Sequence, residues 1–267
     1  MSMDRRQFMK IAGLSAVLGI GGSLIIDKAG HAGLGAGPRY EQGPNAIEAK
    51  RWGMVIDAGK IKTGEDYKRI IKACHSIHNV PDFGEAKDEV KWIWTDDYEH
   101  TFPSAENPFM DQTYKEKPFL LMCNHCEFPA CVRVCPTKAT FKRPDGIVVM
   151  DYHRCIGCRF CMAACPFGAR SFNWRDPRPF IKQVNPEYPT RMKGVVEKCT
   201  FCVERLAKGQ GPACAEASNG AMVYGDLMDP NSEIRKILAT TYTIRRKPEL
   251  GTEPSIFYVI GGSENNA

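Results

Sequence analysis

Cysteine is the residue type in this chain that could do chemistry, because its 12 copies fall into regularly spaced groups. Two groups hold four cysteines each and end in Cys-Pro, a third holds three, and one cysteine stands alone. The groups are Cys123, Cys126, Cys131 and Cys135; Cys155, Cys158, Cys161 and Cys165; Cys199, Cys202 and Cys214; and Cys74. The second group has the C-x2-C-x2-C-x3-C-P spacing of a 4Fe–4S cluster loop, and each cluster takes four thiolates. The 12 thiolates therefore predict three 4Fe–4S clusters and a protein that transfers electrons.

The proline after the fourth cysteine of a run helps to divide the ligands between clusters. Pro136 and Pro166 lack an N–H and stop the turn from continuing, so the fourth cysteine faces away from the cluster that the first three hold. In proteins with two such clusters, that fourth cysteine binds the neighbouring cluster. The exchange predicts cluster A from Cys123, Cys126, Cys131 and Cys165, and cluster B from Cys155, Cys158, Cys161 and Cys135.

The remaining four cysteines fit the same exchange if one further cluster has been lost. Counting back from Cys74 and forward from Cys214 with the run spacing reaches four positions that lack a thiol. These positions are Gly64, Tyr67, Ile70 and Ser218. All four positions would have bound the same cluster, the one that is lost. The largely apolar side chains of Tyr67 and Ile70 would fill the space that this cluster leaves. The positions that keep cysteine predict cluster C from Cys74, Cys199, Cys202 and Cys214.

Other uses of these cysteines stay open at this stage. Zinc would take four thiolates from paired C-x2-C units, exported cysteines often form disulfides, and Cys74 could be an inert core thiol. The histidines near the cysteine groups are expected to form hydrogen bonds rather than bind metal; they are His75, His78, His125 and His153. We find no C-x2-C-H haem motif, carboxylate pair or nucleophile–base set, so no catalytic residue is predicted.

The N-terminal residues have the pattern of an export signal. Arg5 and Arg6 precede an apolar stretch over residues 11–26, which is typical of a twin-arginine signal. A helix of these 16 residues would be about 24 Å long, shorter than a bilayer core of about 30 Å. Such signals export folded proteins, so we expect a periplasmic protein whose clusters are inserted before export. The segment could be cleaved near residues 30–32, or it could remain as an anchor on the extracytoplasmic face of the membrane.

Short strands and helices must position the cysteines. The hydrophobic periodicity predicts a helix over residues 65–74 with Thr63 as its cap. Asp229 as a cap and Pro230 in the first turn predict a second helix that ends near residue 240. The aromatic-rich residues 82–117 are predicted to be a long loop that packs either on a partner or on its own domain. Strands are predicted over residues 51–57, 139–143, 147–151, 169–174, 221–226 and 255–260. This mixture predicts an α+β fold.

Residues 51–260 resemble the ferredoxin-type iron–sulfur subunits of membrane-bound oxidoreductases such as polysulfide, nitrite and dimethyl-sulfoxide reductases. Most members of that family carry four clusters. A twin-arginine signal combined with a three-cluster pattern is most similar to the periplasmic iron–sulfur subunits of DsrMKJOP complexes. The motifs that carry the resemblance are Cys123-Asn-His-Cys126, Pro129-Ala-Cys131, Cys135-Pro136, Lys198-Cys199-Thr-Phe-Cys202, Pro212-Ala-Cys214 and Gly225-Asp226-Leu227-x-Asp229-Pro230.

The resemblance implies two ferredoxin-like cluster-binding domains, one inserted in the other, with long loops. The implied parts are a signal segment (1–32), the first part of the outer domain (33–118), the inserted dicluster domain (119–178) and the last part of the outer domain (179–267). The implied partners are an NrfD-type membrane subunit that handles quinone, a c-type cytochrome and other subunits of a respiratory sulfate- or sulfite-reduction complex. An electron-relay subunit of a periplasmic molybdopterin oxidoreductase is the alternative. With 36 basic and 31 acidic residues, the chain is too evenly charged to predict a nucleic-acid partner.

Overall fold

The computed structural model of the chain describes residues 43–260. The predicted signal segment lies outside these described residues, as do the first part of the linker after it and the last seven residues. Short helices and small sheets alternate along the chain, which confirms the predicted α+β class. Within residues 43–260, no helix combines the length and the apolar character needed to cross a bilayer.

The strands of the described residues form a three-stranded sheet and three two-stranded ladders. The ladders pair β2 with β3, β4 with β5, and β6 with β7, all antiparallel. The predicted strand at residues 169–174 is reduced to two residues, and the other predicted strands are present. The strands are β1 (Trp52–Asp57), β2 (Ile93–Asp96), β3 (Phe119–Met122), β4 (Thr140–Lys142), β5 (Val148–Met150), β6 (Ser171–Phe172), β7 (Val196–Glu197), β8 (Met222–Asp226) and β9 (Ile256–Val259).

Strand β1 is the middle strand of the three-stranded sheet, and both of its neighbours come from the C-terminal part of the sequence. It runs antiparallel to β8, with Trp52 opposite Asp226, and parallel to β9, with Met54 opposite Ile256. Five of its six residues are buried, as expected for a strand that packs on both faces. The sheet therefore ties residues 52–57 to the segment that follows the third cysteine group.

The helices are short except for the first. They are α1 (Gly64–Ile77), α2 (Tyr98–Thr101), α3 (Gln112–Glu116), α4 (Ala130–Arg133), α5 (Phe160–Ala163), α6 (Val203–Leu206), α7 (Ala213–Glu216) and α8 (Glu233–Thr240). Single 3-10 turns lie at Ala86–Asp88, Pro103–Ala105, Arg178–Phe180 and Pro248–Leu250.

Helix α1 confirms the predicted helix and its cap. The hydroxyl of Thr63 accepts a hydrogen bond of 3.2 Å from the N–H of Asp66, and the Asp66 carboxylate accepts one of 3.0 Å from the N–H of Thr63. This reciprocal capping box fixes where the helix begins. The apolar stripe of α1 faces the core, so Tyr67, Ile70 and Cys74 are buried there.

Helix α8 begins later than predicted, because the prediction that Asp229 caps it is wrong. The Asp229 carboxylate accepts the N–H of Asn231 at 2.9 Å and closes a local turn. The hydroxyl of Ser232 then donates to the carbonyls of Asp226 and Asp229, and the helix begins at Glu233. A side chain that is already used in its own turn cannot cap the helix.

Residues 82–117 were predicted to pack either on a partner or on their own domain, and the two parts of this segment differ in that respect. Trp92, Trp94 and Phe102 are buried in the main core, so the first part folds back on its own domain. Further along, Phe109 is 94% exposed and Tyr114 is 41% exposed. Within this segment, the second part therefore leaves aromatic surface uncovered.

Candidate metal centres

The three cysteine-rich loops share one backbone feature. The residue two positions after the first cysteine of each group has a positive φ: His125 (41°), Gly157 (71°) and Phe201 (58°). This conformation is rare for a non-glycine residue and marks a tightly coiled loop. At Gly157 a Cβ atom would lie 2.4 Å from the carbonyl oxygen of Gly194, so only glycine fits there. Coiled loops of this kind point their sulfur atoms and N–H groups inward, towards a bound group.

A short helix follows in each group and carries the third cysteine. These helices are α4, α5 and α7, and each has its cysteine at the second position. The residue after each C-cap donates its N–H to the carbonyl of the third helix residue, at 3.3, 3.1 and 3.0 Å. Those residues are Cys135, Cys165 and Ser218. Ser218 thus has the backbone setting of the fourth cysteine in the other two runs.

The four cysteines assigned to cluster A lie close to one another, and each is partly buried. Burial raises the pKa of Cys126 to about 12, and the thiolates of Cys123, Cys131 and Cys165 raise it in the same direction. Burial raises the pKa of Cys165 as well, again together with Cys123 and Cys131. A metal cation would reverse this repulsion, since it favours the thiolate form of every ligand.

The cluster B cysteines come together in a second, smaller core. Cys161 is buried there with Ala139, Met150 and Val196, while Cys135 and Cys155 pack against it. Cys135 thus lies beside the second group, and Cys131 of its own run packs against the same core. Partial burial opposes ionisation of Cys135, but N–H groups of Thr140, Ala139 and Thr137 and the Thr137 hydroxyl lower its pKa. Cys158 lies in the same loop and is partly buried.

The cluster C cysteines are the only set of the three with all four members buried. Helix α1 packs against α7 and brings Cys74 to the third group. Burial raises the pKa of Cys74 well above its ordinary value, and the thiolates of Cys214, Cys199 and Cys202 raise it further. The structure therefore places Cys74 beside the three cysteines that the exchange assigns to it.

Two histidines contact the candidate centres through hydrogen bonds. His78 is buried, with Nδ1 3.6 Å from the Sγ atom of Cys74 and Nε2 2.8 Å from a carboxylate oxygen of Glu204. Its ligand atoms and those of Cys202 and Glu204 lie within 4.8 Å of one another. His125 Nδ1 accepts the N–H of Val148 at 3.1 Å. Hydrogen bonding was predicted for these two histidines and fits this geometry, whereas no motif in the sequence marks Glu204.

The other two histidines make different contacts. His75 Nε2 lies 3.2 Å from the carbonyl oxygen of Ile93, and burial lowers the pKa of this histidine to about 4. His153 is exposed, and its backbone N–H donates to the carboxylate of Asp151 at 2.9 Å. The contacts of His75 are those of a hydrogen-bonding residue, as predicted.

Two buried cations beside the cysteines were also missed. Arg170 donates from Nη2 to the Sγ atom of Cys131 at 3.0 Å, and Lys198 is fully buried next to Cys199. Neither has a carboxylate within ion-pair distance in the part of the chain that the structure describes. A buried cation is stable only beside an anion. A cluster with four thiolate ligands is anionic, so these residues fit the group that the cysteines imply.

Electrostatic contacts connect set A with each of the other two cysteine sets. The Arg170 guanidinium interacts with Cys131 and Cys165 of set A and with Cys161 of set B. On the other side, Cys199 of set C interacts with Cys123 of set A. The ring of His125 also meets that of Phe201 edge-on, with 5.3 Å between centroids, and so joins the loops of sets A and C. Set A therefore has neighbours in both other sets, so a row of three clusters would have set A in the middle.

Comparisons with known proteins find iron–sulfur proteins. The family model for the 4Fe-4S dicluster domain matches residues 117–179. The chain is 41% identical to iron–sulfur subunit 1 of the Hdr-like menaquinol oxidoreductase of Archaeoglobus fulgidus, over 98% of this chain and 100% of that protein. It is 36% identical to the iron–sulfur cluster-binding subunit of the menaquinone reductase of Nitratidesulfovibrio vulgaris, over 78% and 88%. It is 41% identical to one of the chains of the polysulfide reductase of Wolinella succinogenes, over 51% and 64%.

Proposed function

Because this protein belongs to the family of 4Fe–4S electron-transfer subunits of respiratory oxidoreductase complexes, we propose that it carries three clusters in a row. The ligand sets would be the sets A, B and C described above. Each cluster, when bound, supplies one-electron redox chemistry. The observation that carries the count of three is the burial of Cys74 among the thiols of the third group. A core thiol with no ligand role would not need three other cysteines around it.

We further propose that residues 119–178 form a dicluster domain inserted into an outer ferredoxin-like domain. The pairing of β1 with β8 and β9 supports this, because strands from both sides of the segment share one sheet. The matched family model covers nearly the same segment. The protein's role would be conduction alone, with no substrate chemistry of its own.

The proposed partners are membrane redox subunits. The two relatives that this chain covers most fully among those described above belong to a menaquinol oxidoreductase and a menaquinone reductase. We propose that the protein passes electrons between an NrfD-type membrane subunit that handles quinone and another redox subunit, such as a c-type cytochrome. Its location would be the periplasmic face of the membrane, reached by the twin-arginine route. The complex would serve respiratory sulfur metabolism, as sulfate or sulfite reduction.

A second candidate is the electron-relay subunit of a molybdopterin oxidoreductase. It is favoured by the similarity, described above, to a chain of a reductase that is not named for quinone, the polysulfide reductase of Wolinella succinogenes. Affinity purification of the tagged protein from solubilised membranes separates the two proposals. Recovery of a quinone-reactive membrane subunit without molybdenum supports the first. Recovery of a molybdenum-containing catalytic subunit supports the second.

Iron analysis tests the cluster count itself. The purified protein should be brown and contain about twelve iron atoms and about twelve acid-labile sulfides per chain, four of each per cluster. An iron content near eight atoms per chain would remove cluster C from the proposal. A colourless protein that contains zinc or disulfides would show instead a scaffold that only holds a complex together.

A further inference from the structure

Arg170 is a buried cation between the cysteines of sets A and B. Its side chain is 5% exposed, and Nη2 donates to the Sγ atom of Cys131 at 3.0 Å and to the hydroxyl of Thr140 at 2.8 Å. Nη1 lies 3.8 Å from the Sδ atom of Met150. Among residues 43–260, no carboxylate forms an ion pair with it. Its counter-charge within this part of the fold can therefore come only from the thiolates around it.

Lys198 is the corresponding cation between sets A and C. It is 0% exposed, and its ammonium donates to the carbonyl of Cys199 at 2.6 Å and to the carbonyl of Val148. The N–H of the same Val148 donates to His125, inside the loop that joins Cys123 and Cys126. Lys198 is thus held against the cysteine loops of both sets, again without a carboxylate partner in the described residues.

Some buried cations in the described fold are compensated by a carboxylate. Arg191, for example, is fully buried but lies 2.6 Å from the carboxylate of Glu197. Arg246, which donates to the carbonyls of Thr101 and Phe167 and acts on Cys165 of set A, has no ion pair in the described fold either. Set C faces carboxylates as well: Glu204 acts on Cys74 and Cys202, and Cys214 faces Arg205 together with its ion-pair partner Glu216. The uncompensated positive charge therefore converges on set A, which alone faces both Arg170 and Lys198.

We propose that Arg170 and Lys198 make the middle centre the most easily reduced of the three, so that an electron crossing the protein rests there. The inference depends on the proposed three-cluster assignment. A fixed positive charge in a poorly screened interior favours the redox state with the extra electron. One electron passes from a reduced neighbouring centre to the middle centre. The neighbour is thereby oxidised by one electron, and the middle centre is reduced by one electron. The two side chains keep their charge throughout and move no proton.

The first experiment orders the three centres in the holoprotein. Iron is quantified, and an anaerobic redox titration is followed by EPR. Three variants identify the signals, each changing one set: Cys126→Ser for A, Cys158→Ser for B and Cys214→Ser for C. We expect the signal that appears first during reduction to be the one changed by Cys126→Ser. If Cys158→Ser or Cys214→Ser changes it instead, the inference is overturned, while iron near twelve per chain would leave the proposed function intact.

The second experiment removes each charge. Arg170→Gln and Lys198→Met should each lower the equilibrium constant for one-electron reduction of the middle centre by at least tenfold. This lowers the midpoint potential of that centre by about 59 mV. Arg170→Lys keeps the charge and should restore most of the potential. Lys182→Gln, which removes an exposed lysine paired with Asp82, is the matched control and should leave every potential unchanged. Unchanged midpoints in both charge variants would refute the inference. If these variants lose iron, the order in which the three wild-type centres are reduced, measured in the first experiment, decides whether the inference stands.

Discussion

The hydroxyl of Ser218 accepts a hydrogen bond of 2.9 Å from the backbone N–H of Met222. It also donates to the carbonyl of Ala215 at 2.7 Å, and the side chain is buried. The equivalent positions after α4 and α5 carry thiols, whereas this one is tied into its own turn. Across from it on α1, Ile70 is fully buried and the hydroxyl of Tyr67 donates to the carbonyl of Pro118 at 2.7 Å. Of the four positions where a fourth cluster would need ligands, Tyr67 and Ile70 therefore carry buried side chains and Ser218 has its hydroxyl engaged in its own turn.

Ser218→Cys should not create a fourth cluster. A single added thiol has no partners, because Gly64, Tyr67 and Ile70 supply no thiolate. The change also removes two hydrogen bonds from a buried turn, which should cost about 1–3 kcal/mol of stability. The measurements are iron per chain and the midpoint of anaerobic denaturant unfolding. Ser218→Ala is the control for the lost hydrogen bonds, and a rise of four iron atoms in the cysteine variant would contradict the prediction.

Cys74→Ala and Cys199→Ala should abolish the same EPR signal. Both side chains belong to the set that α1 and the third group form together, and a cube that loses one of four ligands becomes unstable. Each variant should lose up to about four iron atoms, or keep a three-iron remnant. Cys158→Ala should leave that signal and remove a different one. If the two variants lose different signals, the assignment of Cys74 to the third group is wrong.

Features set by local sequence could be predicted, and features set by tertiary contacts could not. The capping box of Thr63 and Asp66 and the apolar stripe of α1 lie within a few residues of each other, so the helix and its cap were predictable. The cap of α8 was not, because Ser232 is held by a carbonyl that precedes the turn. The cysteine spacing predicted which residues come together, and the ligand sets themselves stay predictions.

The burial of Lys198 and Arg170 had no sequence signal of its own. Lys198 directly precedes Cys199 and Arg170 follows Cys165 by five residues, positions where an exposed cation would be equally ordinary. Their burial follows from tertiary contacts: Arg170 donates to Cys131 and Thr140, and Lys198 donates to the carbonyl of Val148, all far away in sequence. A protein rich in thiolate ligands needs buried positive charge somewhere, but only the fold shows which residues supply it.

Arg191→Met should destabilise the whole fold. Arg191 and Glu197 form an ion pair of 2.6 Å with both side chains fully buried, and Arg191 also donates to the carbonyl of Asn79 at 2.8 Å, just after α1. Removal of one partner leaves a buried charge without compensation, which typically costs about 3–5 kcal/mol. The midpoint of anaerobic denaturant unfolding measures the loss. Adding Glu197→Gln to the variant should recover part of it, and a single variant as stable as wild type would contradict the prediction.

Replacement of Arg5 and Arg6 by lysine together should leave the protein in the cytoplasm with its clusters bound. The arginine pair precedes the apolar stretch of the predicted signal, and such signals are read by a receptor that recognises the arginines. Cell fractionation followed by iron analysis of each fraction makes the measurement. Lys50→Gln, at an exposed lysine outside the predicted signal, is the control and should not affect export. Normal periplasmic recovery of the double variant would count against this export route.

Lys198→Met should narrow the stability difference between the holoprotein and the iron-free protein. With the clusters bound, the ammonium has anionic neighbours; without them it is a buried charge whose hydrogen bonds go only to carbonyls of Val148 and Cys199 among the described residues. An uncompensated buried ion costs several kcal/mol, so chelation of iron should destabilise the wild type more than the variant. Denaturant midpoints of both proteins before and after chelation give the comparison. Lys182→Gln should behave as wild type. An equal loss on chelation in wild type and in Lys198→Met would show that the clusters do not compensate this charge.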